Sequence, residues 1–245
     1  MQTEIGRERS GTGRLSLLSG LLTDALASVT VPGQAPLVLD CGGGSGAYAV
    51  PLAAVGADVT VVDISADALA TLRRRADEAG VSARVHAAQG DVESLVDLVA
   101  RASFDLVLAH GILEAVDRID ETFDGIAAAV RPGGLISVLV GNPLASVLAR
   151  ALAGEPAVAL QELRGLDTAG PRIGPDTVQR LCMRAGLVVE SRHGIGVFSD
   201  LVPGSALDAP GAREVLAQLD AEAAARSPFA DLAGRIHLLL RRPLD

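Results

Sequence analysis

The sequence predicts an α/β fold built on a doubly wound, mostly parallel sheet. Three observations carry this. Short, continuously apolar runs alternate with amphipathic helical patterns between residues 37 and 140. Runs of that kind suit strands covered by helices on both faces. The first run opens into a glycine-rich loop, Gly42 to Gly46, and the second closes on an acid, Asp63.

The elements follow in order. Leu15, Leu18, Leu22, Leu26 and Val29 recur at helical spacing and predict a helix over 14–29, ended by Pro32, Gly33 and Pro36. Leu37-Val38-Leu39 is a strand, and a helix over 47–55 follows the glycine loop. The strand 58–63 leads to a helix over 66–79, with Ser65 as N-cap and Gly80 as stop. A strand at 83–87 precedes a helix near 93–101, and a strand at 104–109 precedes one near 118–130. Pro132-Gly133-Gly134 reads as a turn into a strand over 135–140.

After Gly141 the rhythm breaks. Residues 142–174 hold helical pieces interrupted by Gly154, Pro156, Gly165, Gly170 and Pro171, an insertion over the strand ends. A helix over 175–185 begins with Pro175, and a strand at 187–192 follows. A polar, glycine-rich stretch, 194–211, leads to a helix over 212–226, stopped by Pro228. The last strand is 235–241, where Ile236, Leu238 and Leu240 alternate with Arg235, His237 and Arg241. With no internal repeat and no long linker, the expectation is one domain over 1–245. Its ligand-binding core is 36–141, and 142–174 and 194–228 are substrate-side insertions.

Apolar residues make up 49% of the chain, enough for a sizeable core, and no run is long enough to span a bilayer. Residues 1–14 carry Glu4, Arg7, Glu8 and Arg9 and lack the apolar region of a secretory signal, so a cytoplasmic location is expected. Cys41 and Cys182 lie far apart and read as small buried hydrophobes, not as a disulfide or a zinc site. No His, Cys and carboxylate group has ligand spacing, so no metal is expected. The net charge is −9, and all 21 basic residues are arginine. This balance speaks against broad, non-specific nucleic-acid binding. Only 131–192, with seven arginines against five acids, is positive.

The stretch Val38-Leu39-Asp40-Cys41-Gly42-Gly43-Gly44-Ser45-Gly46 carries the most information. Glycines between a strand and a helix let a ligand approach the backbone, and the helix start offers free N–H groups. Asp63 ends the second strand, 21 residues after Gly42, where a carboxylate can accept two ribose hydroxyls. Two enzyme classes use this geometry. A dinucleotide oxidoreductase wants G-x-G-x-x-G/A, which Gly42, Gly44 and Ala47 satisfy. A methyltransferase wants an acid two residues before the first glycine, and Asp40 supplies it. Asp40 suits a ligand bearing an ammonium and a sulfonium better than a pyrophosphate, which it would repel. A glycine turn that binds nothing is the bland alternative. Gln89-Gly90-Asp91 follows the third strand, where an acid can bond an adenine amino group. A Tyr/Lys hydride-transfer pair cannot exist, because there is no lysine.

Asp40 to Gly46, Asp63, Gly90-Asp91, Asp105 and Arg131 to Gly134 together resemble the successive motifs of class I S-adenosylmethionine-dependent methyltransferases. The resemblance covers roughly 36–141. It implies S-adenosylmethionine as cofactor and a Rossmann-like seven-stranded sheet whose last strand, here 235–241, runs antiparallel. His110 to Glu114, Gly194 to Asp200 and Gly234 to His237 are similar to segments of the bacterial tRNA 5-carboxymethoxyuridine methyltransferases. Those enzymes methylate the carboxylate of a modified uridine in the anticodon loop. The resemblance implies cofactor contacts from Arg14, Gly42, Gly43, Asp63, Gln89, Gly90 and His110, to which the loop reading adds Asp40, Gly44 and Asp91.

A carboxylate acceptor needs no general base, so no catalytic residue is assigned. For a hydroxyl or amine acceptor His110, at the end of the fourth strand, is the best placed base; otherwise it is a histidine bonded within a loop. His237 reads as structural, His193 as a strand-end surface residue and His86 as packed against the sheet. Arg73-Arg74-Arg75 reads as a solvated face. The acceptor, a tRNA anticodon loop or a small molecule, is expected to contact 142–174, 194–211 and the N-terminal helix. Arg14, Asn142, Arg172 and Phe198 are the first residues to inspect there.

Overall fold

A computed structural model describes the backbone of residues 2–168 and 173–244, with side chains from residue 16 onward except those of 166–168. Seven strands form one sheet: β1 (Leu37–Cys41), β2 (Asp58–Asp63), β3 (Val85–Gln89), β4 (Phe104–His110), β5 (Val130–Gly141), β6 (Val188–Ile195) and β7 (Arg235–Arg241). The helices are α1 (Gln2–Val29), α2 (Ala49–Ala54), α3 (Ala66–Glu78), α4 (Leu95–Leu98), α5 (Ile119–Ala129), α6 (Pro143–Leu152), α7 (Pro156–Thr168), α8 (Pro175–Arg184) and α9 (Ala212–Ala223).

The strand order is β3-β2-β1-β4-β5-β7-β6. Neighbours from β3 to β5 are parallel, and β7 runs antiparallel to both β5 and β6. The order reverses beside β1, which pairs with β2 on one side and β4 on the other. Crevices at the carboxyl ends of strands, at such a reversal, are where this architecture binds ligands.

The strands form where both faces are covered. Val38, Leu39, Val59, Val61, Leu106, Val107 and Leu108 are fully buried. Ser65 caps α3, its hydroxyl accepting from the Ala68 N–H at 3.2 Å, and Gly80 ends that helix at a φ of +69°.

Two compact units are distinguished along the chain. One comprises Leu21–Leu139, Val178–Ser191 and Leu238–Asp245; the other comprises Met1–Gly20, Val140–Thr177 and Arg192–His237. The first is called here the loop unit, because it holds the glycine loop, and the second the insertion unit.

Several expectations are corrected. The N-terminal helix begins at Gln2 rather than near 14. The third strand lies two residues later, at Val85–Gln89, because Ser82–Arg84 form a helical turn. The helix expected near 93–101 is reduced to Leu95–Leu98. Pro132-Gly133-Gly134 is not a turn between elements but an irregularity inside β5. The register passes from Phe104↔Val130 to Leu106↔Leu135, and the Gly133 N–H donates to the Arg242 carbonyl at 2.8 Å. His86 is exposed, since β3 is an edge strand. His193 is half-buried and stacks on His237 at 5.8 Å, because β6 runs on to Ile195 and places it inside the strand.

Candidate functional site

The glycine loop leaves the carboxyl end of β1, and bonds to the end of β2 hold its shape. The Gly42 N–H donates to the Val62 carbonyl at 2.7 Å, tying the loop to β2. Asp63, at the end of β2, uses one oxygen on each side: Oδ2 accepts from the Gly44 N–H at 2.9 Å and Oδ1 from the Ser65 N–H at 2.8 Å. Each carboxylate oxygen keeps a second lone pair, so Asp63 can order the loop and still accept hydroxyls.

Asp40 is 2% exposed, and its Oδ2 has no hydrogen-bond partner. Burial, with the neighbouring charge of Asp63 second, raises its carboxyl to about 7. A buried carboxyl with an open lone pair costs free energy unless something else repays it. A cationic ligand group would do so. Gly43 lies directly against this acid: a Cβ there would overlap the Asp40 carboxyl group. A Cβ on Gly42 would come within 2.8 Å of Ile112 Cδ1, from the loop after β4. Neither position therefore has room for a side chain.

The third-strand turn lies close by. The Gly90 N–H donates to the Asp63 carbonyl at 3.1 Å, and Gln89 Nε2 donates to the Ile64 carbonyl at 3.2 Å. Asp91 accepts from the Glu93 N–H at 2.9 Å through Oδ1. Ile64, beside Asp63, is 69% exposed although apolar. His110 ends β4. Its Nε2 lies 2.8 Å from Ser137 Oγ, and its ring meets Tyr48 edge to face at 4.8 Å. Tyr48 comes from the glycine loop's far end, so ring and loop are held together.

The structure thus brings Asp40, Gly42, Gly43, Gly44, Asp63, Gln89, Gly90, Asp91 and His110 into one unit around the ends of β1 to β4. The Arg14 side chain lies outside the described residues, as does Arg172. The acids present would fit S-adenosylmethionine: Asp40, whose buried Oδ2 has no partner, could face a cation, Asp63 could accept from a diol and Asp91 from an amino group.

Other motif residues serve the frame. Arg131 Nε donates to Asp105 Oδ1 at 2.7 Å and its Nη2 to the Val29 carbonyl at 3.0 Å. Asp105 Oδ2 accepts from the Leu37 N–H at 2.7 Å. This half-buried clamp ties β5 to β4, β1 and the end of α1. Asn142 caps α6 and donates to the carbonyls of Asp231 and Ala233 at 2.8 and 2.9 Å, so its amide is committed to structure. The Phe198 ring meets Phe229 in a tilted pair at 5.8 Å, and the Phe198 N–H donates to Asp220 Oδ1 at 2.6 Å. Buried His237 is pushed down to about 3 by burial and then by His193, a neutral core imidazole.

In the insertion unit, a cavity of about 540 Å³ is lined mainly by Pro143, Ala145, Ala149, Ile173, Leu201 and Leu232, with Ser146 and Asp200 at its wall. Among the described residues, no group of His, Cys and carboxylate side chains could hold a metal, and no helix is long and apolar enough to cross a membrane.

Sequence reading missed one residue. Glu93 accepts from the N–H groups of Asp117 and Arg118, at 2.6 and 3.0 Å, and from Arg118 Nε at 2.9 Å. Its partners lie about 25 residues away, and no local pattern marks it.

Comparison with known proteins points to methyltransferases. Residues 38–134 match a family model described as a methyltransferase domain. The chain is 33% identical over 158 residues to the ubiquinone biosynthesis O-methyltransferase of Chelativorans sp. (strain BNC1), spanning 64% of this chain and 61% of that one. It is 28% identical over 214 residues to the tRNA 5-carboxymethoxyuridine methyltransferase of Escherichia coli (strain K12), spanning 84% and 80%. Among solved structures, it is similar to geranyl diphosphate C-methyltransferase from Streptomyces coelicolor A3(2), in complex with Mg2+, geranyl diphosphate and S-adenosyl-L-homocysteine. The TM-score is 0.61 at 16% identity, over 93% of this chain and 79% of that one.

Proposed function

We propose that this chain is a class I S-adenosylmethionine-dependent methyltransferase and methylates the carboxylate of a modified wobble uridine in tRNA. One observation carries the acceptor: the tRNA-modifying relative aligns over 214 residues, whereas the ubiquinone relative aligns over 158. The proposal treats residues 1–245 as one methyltransferase domain. Residues 36–141 hold the cofactor, and the segments 142–174 and 194–228 meet the acceptor.

S-adenosylmethionine, when bound, supplies an electrophilic methyl group on a sulfonium. The residues of this chain bind and orient it. Asp63 accepts the ribose hydroxyls, Asp91 accepts the adenine amino group, and the glycines let the ligand lie against the backbone. Asp40 compensates positive charge. A carboxylate nucleophile is already ionised at neutral pH and needs alignment rather than a base. His110, held by Ser137 and Tyr48, shapes the pocket wall beyond β4.

A second reading is a small-molecule acceptor. The apolar cavity in the insertion unit favours it, being of the size and lining usual for small ligands. The net charge of −9 favours it as well, since phosphate contacts supply much of tRNA affinity. The test is transfer of radiolabelled methyl from S-adenosylmethionine to total tRNA from a strain lacking the gene, followed by nucleoside analysis. A labelled carboxymethoxyuridine ester supports the first reading. Cofactor binding without label in tRNA rejects it in favour of the second.

A further inference from the structure

The loop between β4 and α5, residues 111–118, contributes Ile112 to the glycine loop, where it closes over Gly42. The start of this loop is fixed by the sheet: the Gly111 N–H donates to the Leu139 carbonyl at 2.9 Å. Its far end has no such neighbour strand. It is held by the side chain of Glu93, whose Oε1 accepts both the Asp117 and the Arg118 N–H and whose Oε2 accepts from the Arg118 guanidinium. The Glu93 side chain is 15% exposed, against 56% for Arg118. The three donors hold the Glu93 carboxyl below the usual carboxylate range, the Arg118 N–H first among them.

Glu93 is also bound at its other end. Its own N–H donates to Oδ1 of Asp91, the acid proposed above to accept from the adenine amino group. A single residue therefore fixes the orientation of Asp91 through its backbone and the position of the Ile112 loop through its side chain. The carboxylate meets two adjacent N–H groups at the entry to α5, so it also compensates the positive end of that helix.

We infer that Glu93 is a positioning residue for the cofactor, coupling the adenine-side acid to the loop that closes over the glycine backbone. This rests on the reading that Asp63, Asp91 and the glycine loop hold S-adenosylmethionine. Without Glu93, the ligand must order residues 111–118 on binding, and the apparent affinity falls by the fraction of molecules in which the loop is already placed. The acceptor is not touched, so the effect belongs to cofactor affinity.

The experiment is titration of S-adenosylhomocysteine into wild type, Glu93→Ala, Glu93→Gln, Arg118→Ala and Asp63→Ala, with amide hydrogen exchange over 111–118 in parallel. Glu93→Ala is expected to raise Kd about tenfold and to expose the Asp117 and Arg118 amides to exchange. Arg118→Ala keeps both backbone bonds and should change Kd by about twofold or less. Glu93→Gln keeps an acceptor oxygen for the two N–H groups, so it should lie between wild type and alanine; it also serves if the alanine variant does not fold. Faster exchange with an unchanged Kd in the Glu93 variants would show a merely structural residue and overturn the inference. If Asp63→Ala also binds like wild type, the cofactor-site reading fails, and the inference falls with it. Loss of binding in Asp63→Ala alone rejects the role of Glu93 and leaves the site standing.

Discussion

Replacing Asp40 by asparagine should make the ligand-free protein more stable and the cofactor weaker. Asp40 is buried, and burial with the charge of Asp63 lifts its carboxyl from 3.8 to about 7. Each pKa unit corresponds to about 1.4 kcal/mol, so keeping this group ionised in the folded protein costs on the order of 4 kcal/mol. The folded value lies above the unfolded one. Its contribution to stability is therefore complete below about pH 4 and is lost as pH rises through about 7. Asparagine is nearly isosteric and does not ionise. At pH 8 the variant should unfold about 5 °C or more above wild type, and at pH 5 the difference should shrink toward zero. Affinity for S-adenosylmethionine should fall at pH 8 if, as proposed, the cationic ligand meets the uncompensated charge of Asp40. Thermal unfolding of both proteins from pH 5 to 8, with a cofactor titration at pH 8, checks this. A variant less stable than wild type at pH 8, or a stability difference independent of pH, would refute the account of a strained acid.

Two further substitutions separate site from frame. Gly43→Ala should abolish measurable cofactor binding, since its Cβ overlaps the Asp40 carboxyl. The double variant Gly43→Ala with Asp40→Ala should regain thermal stability without regaining affinity, and a double variant no more stable than the single one would argue against that overlap. Asp105→Asn weakens the clamp to Arg131 and the Leu37 N–H and should lower stability by about 1–3 kcal/mol in denaturant unfolding. Its affinity for S-adenosylhomocysteine should stay within about threefold of wild type, the contribution of Asp105 being to the sheet. A larger loss would return Asp105 to the site.

The sheet was legible because its strands are buried on both faces and read as apolar runs. Strand β2 at 58–63 and strand β7 at 235–241 match their expected ends. What failed depends on pairing. Pro132-Gly133-Gly134 carries strong turn chemistry, yet the Arg242 carbonyl and N–H engage Gly133 and Gly134 and keep the segment in the sheet. The exposure of His86 follows from β3 lying at an edge, which a linear pattern does not show. In the site, the positions of Asp40, Asp63 and the glycines followed from spacing along the strand–loop–helix unit. The orphaned Oδ2 of Asp40 did not, because it is a property of what surrounds the acid. Asp105 and Arg131 were legible as a motif but not as a clamp. Their partners, Leu37 and Val29, come from the other end of the core. Glu93 was invisible for the same reason.

The central claim is that the ends of β1 to β4 bind S-adenosylmethionine through Asp63. Calorimetric titration of S-adenosylmethionine into wild type and Asp63→Ala, with circular dichroism to verify folding, tests it most directly. The account predicts saturable one-site binding by wild type and a loss of about a hundredfold in the variant, from two hydroxyl bonds and the loop order together. Equal affinity in a folded variant, or no binding by wild type, would contradict it.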